Sequence, residues 1–137
     1  MNAEQNKETV RRWIEEVWNT GNADLMDELM DENMLDHNPV PGLPPGRAAR
    51  AQILAMFHAA FEVKMHLDLL LADGDYVIDR WTASLTHKGE FMGLPATGKT
   101  AQLTGIDISR LADGKITETW HQEDIAGLMQ QLGQPSA

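Results

Sequence analysis

The sequence predicts an α+β domain in which three helices precede a four-stranded antiparallel sheet and a short helix closes the chain. Apolar residues recur with a helical period in the first half and alternate with polar residues in the second half. Helices and strands are thus segregated rather than interleaved, which argues against a βαβ architecture. The 137 residues, 42% of them hydrophobic and 23% charged, suit one globular domain spanning residues 1–137.

The first half of the chain carries the helices. Apolar residues at i, i+3, i+4, i+7 and i+8 mark the first one: Val10, Trp13, Ile14, Val17 and Trp18. Gly21 is placed to end this helix in a left-handed cap, and Asn22 can cap the second helix. Residues 36–46 contain four prolines and two glycines, which exclude regular structure there. A third helix begins near Arg47.

The second half of the chain carries the sheet. The predicted strands are 63–71, 76–87, 100–111 and 116–122. Turn sequences at 72–75 (ADGD) and 112–115 (ADGK) join neighbouring strands. A loop at 89–99 separates the second strand from the third, and residues 124–132 form the closing helix. Long twisted strands that curl around a helix can leave a pocket inside the curve, the usual place for a small-molecule ligand.

Composition excludes several function classes. Eleven basic and 21 acidic residues leave a net charge of −10, which argues against nucleic acid or an anionic membrane as a partner. The absence of cysteine excludes disulfides, thiolate catalysis and cysteine-ligated zinc. Five histidines are scattered without HxH or HExxH spacing, so we expect no metal site. A polar N-terminus and the lack of an apolar run of ~20 residues predict a soluble cytoplasmic protein.

Five stretches carry a family resemblance. In order they read VRRWIEEVWNTGN, LDHNPVPGLPPG, RWTASLTHKGEFMGLPATGK, TGIDISRLADGKITETWHQED and GLMQQLG. The ordered set resembles the SnoaL-like polyketide cyclase family of the nuclear transport factor two-like superfamily. The resemblance implies a cone-shaped α+β barrel and closure of a polyketide ring by intramolecular aldol condensation, without metal or organic cofactor. The superfamily also contains many proteins with no catalytic role.

The resemblance places the catalytic groups on the last two strands, at Asp107 and His121. An aldol closure needs a base that takes an acidic C–H proton and a donor that protonates the carbonyl oxygen. The characterised cyclases carry His at the position of Asp107 and Asp at the position of His121, so this sequence exchanges the two. We expect His121 to be the acid/base and Asp107 to orient it or raise its pKa. The alternative is a structural hydrogen bond between strands.

The turn between these strands decides whether the two side chains can meet. A three-residue ADG loop would pair Leu111 with Lys115 and set Asp107 opposite Thr119. His121 would then lie diagonally across on the same face of the sheet. A two-residue Asp-Gly turn would shift the register by one and point Asp107 and His121 to opposite faces. We favour the first case, because both residues match positions that line the family's pocket.

The substrate-binding candidates are Trp13, Trp18, His37, Arg80, Phe91 and Met92. The alternative for the two tryptophans is core packing, and the alternative for His37 in the proline-rich loop is a cap on a neighbouring backbone group. Arg80 and Trp81 point to opposite faces of one strand, and the sequence leaves open which of them faces inward. Phe91 and Met92 could form a lid over an apolar ligand or a dimer contact.

Several functions fit this fold. The first is a cyclase or isomerase that acts on an apolar carbonyl substrate, and the alternative is a non-catalytic protein that binds a hydrophobic small molecule. A third is an interaction module that forms a homodimer through the outer face of the sheet, a face that one layer of helices would leave uncovered. An epoxide-hydrolase arrangement would need Asp107, Arg80 and Glu118 together inside the pocket.

Overall fold

The computed structural model describes residues 2–133. Its helical elements are α1 (Ala3–Arg11), a π-helical segment (Arg12–Val17), α2 (Trp18–Thr20), a 3-10 turn (Ala23–Leu25), α3 (Met26–Leu29), α4 (Arg47–Ala60) and α5 (Ile125–Gln131). A capping box between Asn2 and Gln5 begins α1, and Gly21, with φ of 70°, ends α2 in the expected left-handed conformation. Within the described residues, no helix is long and apolar enough to cross a membrane.

A five-stranded sheet follows, with one strand more than predicted. The strands are β1 (Met30–Asp36), β2 (Phe61–Asp73), β3 (Tyr76–His87), β4 (Thr100–Ala112) and β5 (Lys115–Glu123), in the spatial order β1-β5-β4-β3-β2. All neighbouring pairs are antiparallel except β1 with β5, which is parallel. The additional strand β1 replaces the end of the predicted second helix. Its burial pattern is irregular and its register shifts midway, so no period-two signal marks it.

The α+β architecture is confirmed. Helical segments cover the inner face of the curved sheet, where α1 and the π-helical segment contact β2 and α4 contacts both β1 and β2. The residues of the π-helical segment include buried Trp13, Ile14 and Val17. Together with the buried residues of β3 and β4, they form one hydrophobic core. The apolar side chains therefore converge inside the curve of the sheet.

The β4–β5 hairpin corrects the predicted register. Asp113 and Gly114 form a two-residue turn in which both residues have positive φ, 53° and 79°, rather than a three-residue loop. A β-bulge follows, in which Thr117 is the extra residue on β5. The bulge shifts the pairing by one residue and so cancels the change of face that the tight turn would cause. Asp107 consequently pairs directly with His121, and both side chains lie on the inner face.

Candidate active site

An apolar cavity of about 150 Å³ lies between the helices and the inner face of the sheet. Its apolar wall includes Trp13, Trp18, Phe57, Met65, Trp81 and Leu103. Four titratable side chains line the same cavity: Arg50, Asp107, His121 and Glu123. A largely apolar pocket with a few convergent polar groups is the usual form of a small-molecule site.

Asp107 is the carboxyl group that β4 presents to the cavity. It is only 9% exposed, and the indole Nε1–H of Trp81 donates to its Oδ2 atom at 2.9 Å. Burial raises the pKa of Asp107 above its ordinary value of 3.8, because the apolar surroundings disfavour the charged form. A carboxylate with a raised pKa is a stronger base than one in water.

His121 is held by two carboxylates. Its Nε2–H donates to Asp36 at 2.9 Å, and its Nδ1–H donates to Glu123 at 2.5 Å. Burial alone lowers the pKa of His121, but the two hydrogen bonds outweigh it and raise the pKa from 6.5 to about 9. The ring is therefore an imidazolium at neutral pH. The predicted partner Asp107 faces this ring without hydrogen-bonding to it, so Asp36 and Glu123 perform the orienting role expected of Asp107.

The segment after β1 completes the support of His121. Asn38 accepts a hydrogen bond from the backbone N–H of His121 at 2.8 Å, and its own backbone N–H donates to Asp36 at 2.8 Å. Burial raises the pKa of Asp36, but the bonds from His121 and Asn38 reverse that effect and leave it below the ordinary value. Sequence reasoning selected His37 from this segment and missed its two neighbours. The missing signal was β1 itself, since strand alternation sends Asp36 inward and His37 outward.

Arg50 brings a positive charge to the cavity from α4. Its side chain is 11% exposed, with Nη1 3.7 Å from Asp36 and the guanidinium carbon 5.9 Å from the ring centre of Trp13. No hydrogen bond shorter than 3.5 Å holds this guanidinium among residues 2–133. Arg50, which sequence reasoning also missed, therefore retains N–H donors for a ligand.

Two predicted binding residues lie on the outside of the sheet instead of in the cavity. His37 stacks on Trp120 with ring centres 4.4 Å apart, and its Nε2 is 2.6 Å from Glu118. Arg80 points to the outer face and forms an ion pair with Asp68 at 3.2 Å, so its neighbour Trp81 is the inward residue. The epoxide-hydrolase arrangement is wrong for the same reason, because Arg80 and Glu118 are on the face opposite Asp107.

The loop candidates also lie outside the cavity lining. Phe91 is buried behind it, against Phe57 at 5.2 Å and Phe61 at 5.0 Å between ring centres. Met92 is 66% exposed at a backbone position with φ of 49°. The other two candidates, Trp13 and Trp18, do line the cavity and pack edge to face. The described part of the chain holds no cluster of three side chains suited to a metal ion.

The fold and its cavity define a class of small α+β proteins that enclose a cavity within a curved sheet and line it with ionisable groups from its last strands. Within that class, the chain belongs to the SnoaL-like polyketide cyclase family, whose sequence model matches residues 8–132. This match agrees with the resemblance seen in the sequence. It covers every element described above except the first turns of α1.

Two relatives support the same placement, and two solved structures share the fold. The aklanonic acid methyl ester cyclase of Streptomyces sp. (strain C5) is 32% identical, over 92% of this chain and 80% of that protein. The nogalonic acid methyl ester cyclase of Streptomyces nogalater is 28% identical, over 87% of this chain and 91% of that protein. The fold superposes on TsrD from Streptomyces laurentii with a TM-score of 0.88 at 23% identity, covering 97% and 98% of the two chains. IdmH from Streptomyces antibioticus gives a TM-score of 0.83 at 29% identity, covering 95% and 99%.

Proposed function

We propose that this protein is a cofactor-independent cyclase that closes a ring in an apolar polyketide substrate by an intramolecular aldol reaction. The observation that carries the proposal is the direct pairing of Asp107 with His121 on the inner face, where both line an apolar cavity. Two of the relatives are cyclases of polyketide methyl esters by name, which supports this substrate class.

Asp107 is the base in this proposal. Trp81 occupies its Oδ2 atom and leaves Oδ1 for the substrate. The carboxylate takes a proton from the acidic carbon between two carbonyl groups, and the resulting enolate carbon attacks a second carbonyl of the same molecule. Burial assists the step, because the apolar walls raise the pKa of Asp107 toward that of the carbon acid.

His121 is the acid. The attacked carbonyl oxygen becomes a hydroxyl and needs one proton, which an imidazolium with a pKa of about 9 can donate. The Nε2–H keeps its hydrogen bond to Asp36, whose side chain is only 9% exposed. The Nδ1–H is the proton transferred, since its partner Glu123 is 24% exposed and lines the cavity, where a substrate oxygen can replace it. Asp107 then releases its proton to solvent and His121 takes one up from solvent, so the protein is unchanged overall.

Arg50 stabilises the charge that develops between these two steps. The enolate oxygen carries a negative charge before the new carbon–carbon bond forms, and the free guanidinium donors are available to it within the cavity. Preorganised donors in a dry site stabilise such charge more than water does. A cavity of about 150 Å³ admits the reacting ring and leaves the remainder of a larger substrate at the mouth, near the exposed side chain of Val40.

A substrate assay tests this function. Aklanonic acid methyl ester and nogalonic acid methyl ester are incubated with the wild type, with Asp107→Asn and with the outer-face control Asp68→Asn. We expect ring-closed product from the wild type and the control, and a loss of about 10²-fold or more in rate for Asp107→Asn. If the wild type binds such esters tightly and leaves them unchanged, the protein is a hydrophobic-ligand carrier and the catalytic assignment is wrong.

We further propose a cytoplasmic homodimer formed through the outer face of the sheet. That face carries a run of exposed apolar side chains: Leu69, Leu71, Tyr76, Ile78, Ile106 and Ile108. Ile78 and Ile108 pair directly across β3 and β4, so the patch is continuous at its centre. A chain without cysteine has no need of an oxidising compartment. Sedimentation at micromolar concentration tests the dimer. We expect the wild type to sediment as a dimer and Ile78→Glu as a monomer, and a monomeric wild type would refute the homodimer.

A further inference from the structure

Asp79 is a buried carboxyl that the proposed reaction does not use. It lies on the inner face of β3 with no exposed surface, behind the residues that line the cavity. Neither of its carboxyl oxygens has a hydrogen-bond partner among residues 2–133. A buried, unpaired carboxyl is costly to a fold, so its presence calls for a physical explanation.

The sheet register supplies the neighbour of this carboxyl. Asp79 pairs directly with Asp107 across β3 and β4, and Asp107 pairs directly with His121 across β4 and β5. The three side chains therefore form one row on the inner face, and directly opposed side chains have Cβ atoms about 5 Å apart. The carboxyl of Asp79 consequently lies beside that of Asp107, on the side away from the imidazolium.

Two adjacent carboxyls in an apolar interior cannot both be ionised. Burial and then the charge of Asp107 raise the pKa of Asp79 to about 10. The surrounding charges decide which member keeps the proton. The cations His121 and Arg50 both favour an ionised Asp107, while Glu123 of β5 opposes it. Asp36 of β1 pairs with those same cations, and no cation among residues 2–133 forms an ion pair with Asp79.

We propose that Asp79 and Asp107 form a carboxyl pair that holds one proton at neutral pH, with Asp79 as the positioning residue that keeps it. Asp107 is then the single anion of the pair, and the protonated neighbour sets its proton affinity. The consequence for catalysis rests on the proposed function, whereas the pair itself does not. A neutral acid next to the base keeps a second negative charge away from the enolate.

Carboxyl titration tests the pair without a substrate. The ¹³C resonances of the aspartate carboxyl groups are followed from pH 3 to 10 in the wild type, Asp107→Asn and the control Asp68→Asn. We expect Asp79 to stay protonated through pH 8 in the wild type and in the control. In Asp107→Asn, which removes the neighbouring charge, its titration midpoint falls by at least one pH unit. An Asp79 that titrates near 4 in the wild type, or whose midpoint is the same in Asp107→Asn, overturns the proposal.

A second measurement covers the case in which a carboxyl resonance is too broad to follow. Urea denaturation from pH 5 to 8 reports the protons released on unfolding. The wild type is expected to release one proton more than Asp79→Asn, in which the neutral amide replaces the protonated acid. Equal proton release in the two proteins contradicts the pair.

Activity separates this proposal from the proposed function. If Asp79→Asn, whose neutral amide mimics the protonated acid, retains turnover and the wild-type acid limb of the pH–rate profile, while Asp79→Leu shifts that limb, the pair acts on the base. If the carboxyl titrations are coupled but no polyketide ester is cyclised, the pair stands and the cyclase function fails. If cyclisation is found and Asp79→Leu, which removes the neighbouring acid, keeps the wild-type pH–rate profile, Asp79 has no part in setting the base.

Discussion

Gly105 lies directly against the indole ring of Trp81, its partner across β3 and β4. A Cβ atom at position 105 would lie 2.2 Å from Cζ2 of that ring, a distance that atoms in contact never reach. The bare backbone of Gly105 thus lets the indole lie flat across β4 and reach Asp107, two residues further along the same strand. The hydrogen bond that orients Asp107 depends on this missing side chain.

Gly105→Ala is therefore expected to displace Trp81 and break its bond to Asp107. The rigid ring cannot move a single atom aside, so we expect a loss of about 1–3 kcal/mol in the free energy of unfolding. Turnover of a cyclase substrate should fall as well. Urea denaturation measures the loss of stability, and the NMR shift of the Trp81 indole N–H reports the broken hydrogen bond. Ile106→Ala, which trims an outward side chain next in sequence, is the control; an unchanged indole signal in Gly105→Ala would contradict the account.

The imidazolium of His121 makes the stability of the fold depend on pH. Its pKa is about 9 when folded and close to 6.5 when unfolded, so its contribution is fully present below pH 6.5 and is lost as pH rises through 9. The shift corresponds to at most about 3 kcal/mol. Denaturation at pH 6 and pH 9.5 is compared between the wild type and His121→Gln, because protonated Asp79 adds its own loss of stability over this range to both proteins. The variant should show the smaller loss, and the difference is the contribution of His121. His66→Gln, at an exposed position, should keep the wild-type dependence.

Asp36 is expected to control the charge state of His121. Asp36→Asn removes one of the two carboxylates that hold the ring, so the pKa of His121 should fall toward its ordinary value. NMR titration of the five histidines reports this shift directly. The variant Asp107→Asn is the comparison, because Asp107 makes no hydrogen bond to the ring. A larger fall in Asp107→Asn than in Asp36→Asn would restore the original dyad interpretation.

Arg50 should act on the rate more than on substrate affinity. In Arg50→Met the oxyanion loses its donors while the apolar part of the side chain is kept, so we expect kcat to fall about 10²-fold with a small change in KM. Arg80→Met on the outer face is the matched control. Equal rates for wild type and Arg50→Met would remove this residue from the mechanism.

The sequence pattern predicted the elements with long, regular alternation and did not reveal the irregular ones. The strands β2 to β5 were found within a few residues of their ends, because alternation in them is long and regular. The strand β1 was missed because short parallel pairing at a sheet edge leaves no alternation to read. With β1 missing, nothing placed Asp36 beside His121, and the orienting role went to Asp107 instead.

The register shows a second limit of sequence reasoning. The prediction that Asp107 and His121 share one face is right, but the turn on which it rested is wrong. A two-residue turn followed by the bulge at Thr117 places the two side chains on the same face, as a three-residue loop would. No residue type marks a bulge uniquely, so the sequence left this choice open. Which of Arg80 and Trp81 faces inward was equally open, because alternation alone has no absolute direction. The structure answers the question, because Arg80 pairs with Asp68 on the outer face and Trp81 lines the cavity.

The contact between Asp36 and His121 spans 85 residues and joins the first strand of the sheet to the last. The chain from β2 to β5 can form by successive hairpins between strands adjacent in sequence, which are fast local events. β1 can add only to β5, the last strand to leave the ribosome. His121 therefore has both of its carboxylate partners only after β1 has paired with β5. The support of His121 is therefore complete only when the fifth strand of the sheet is in place.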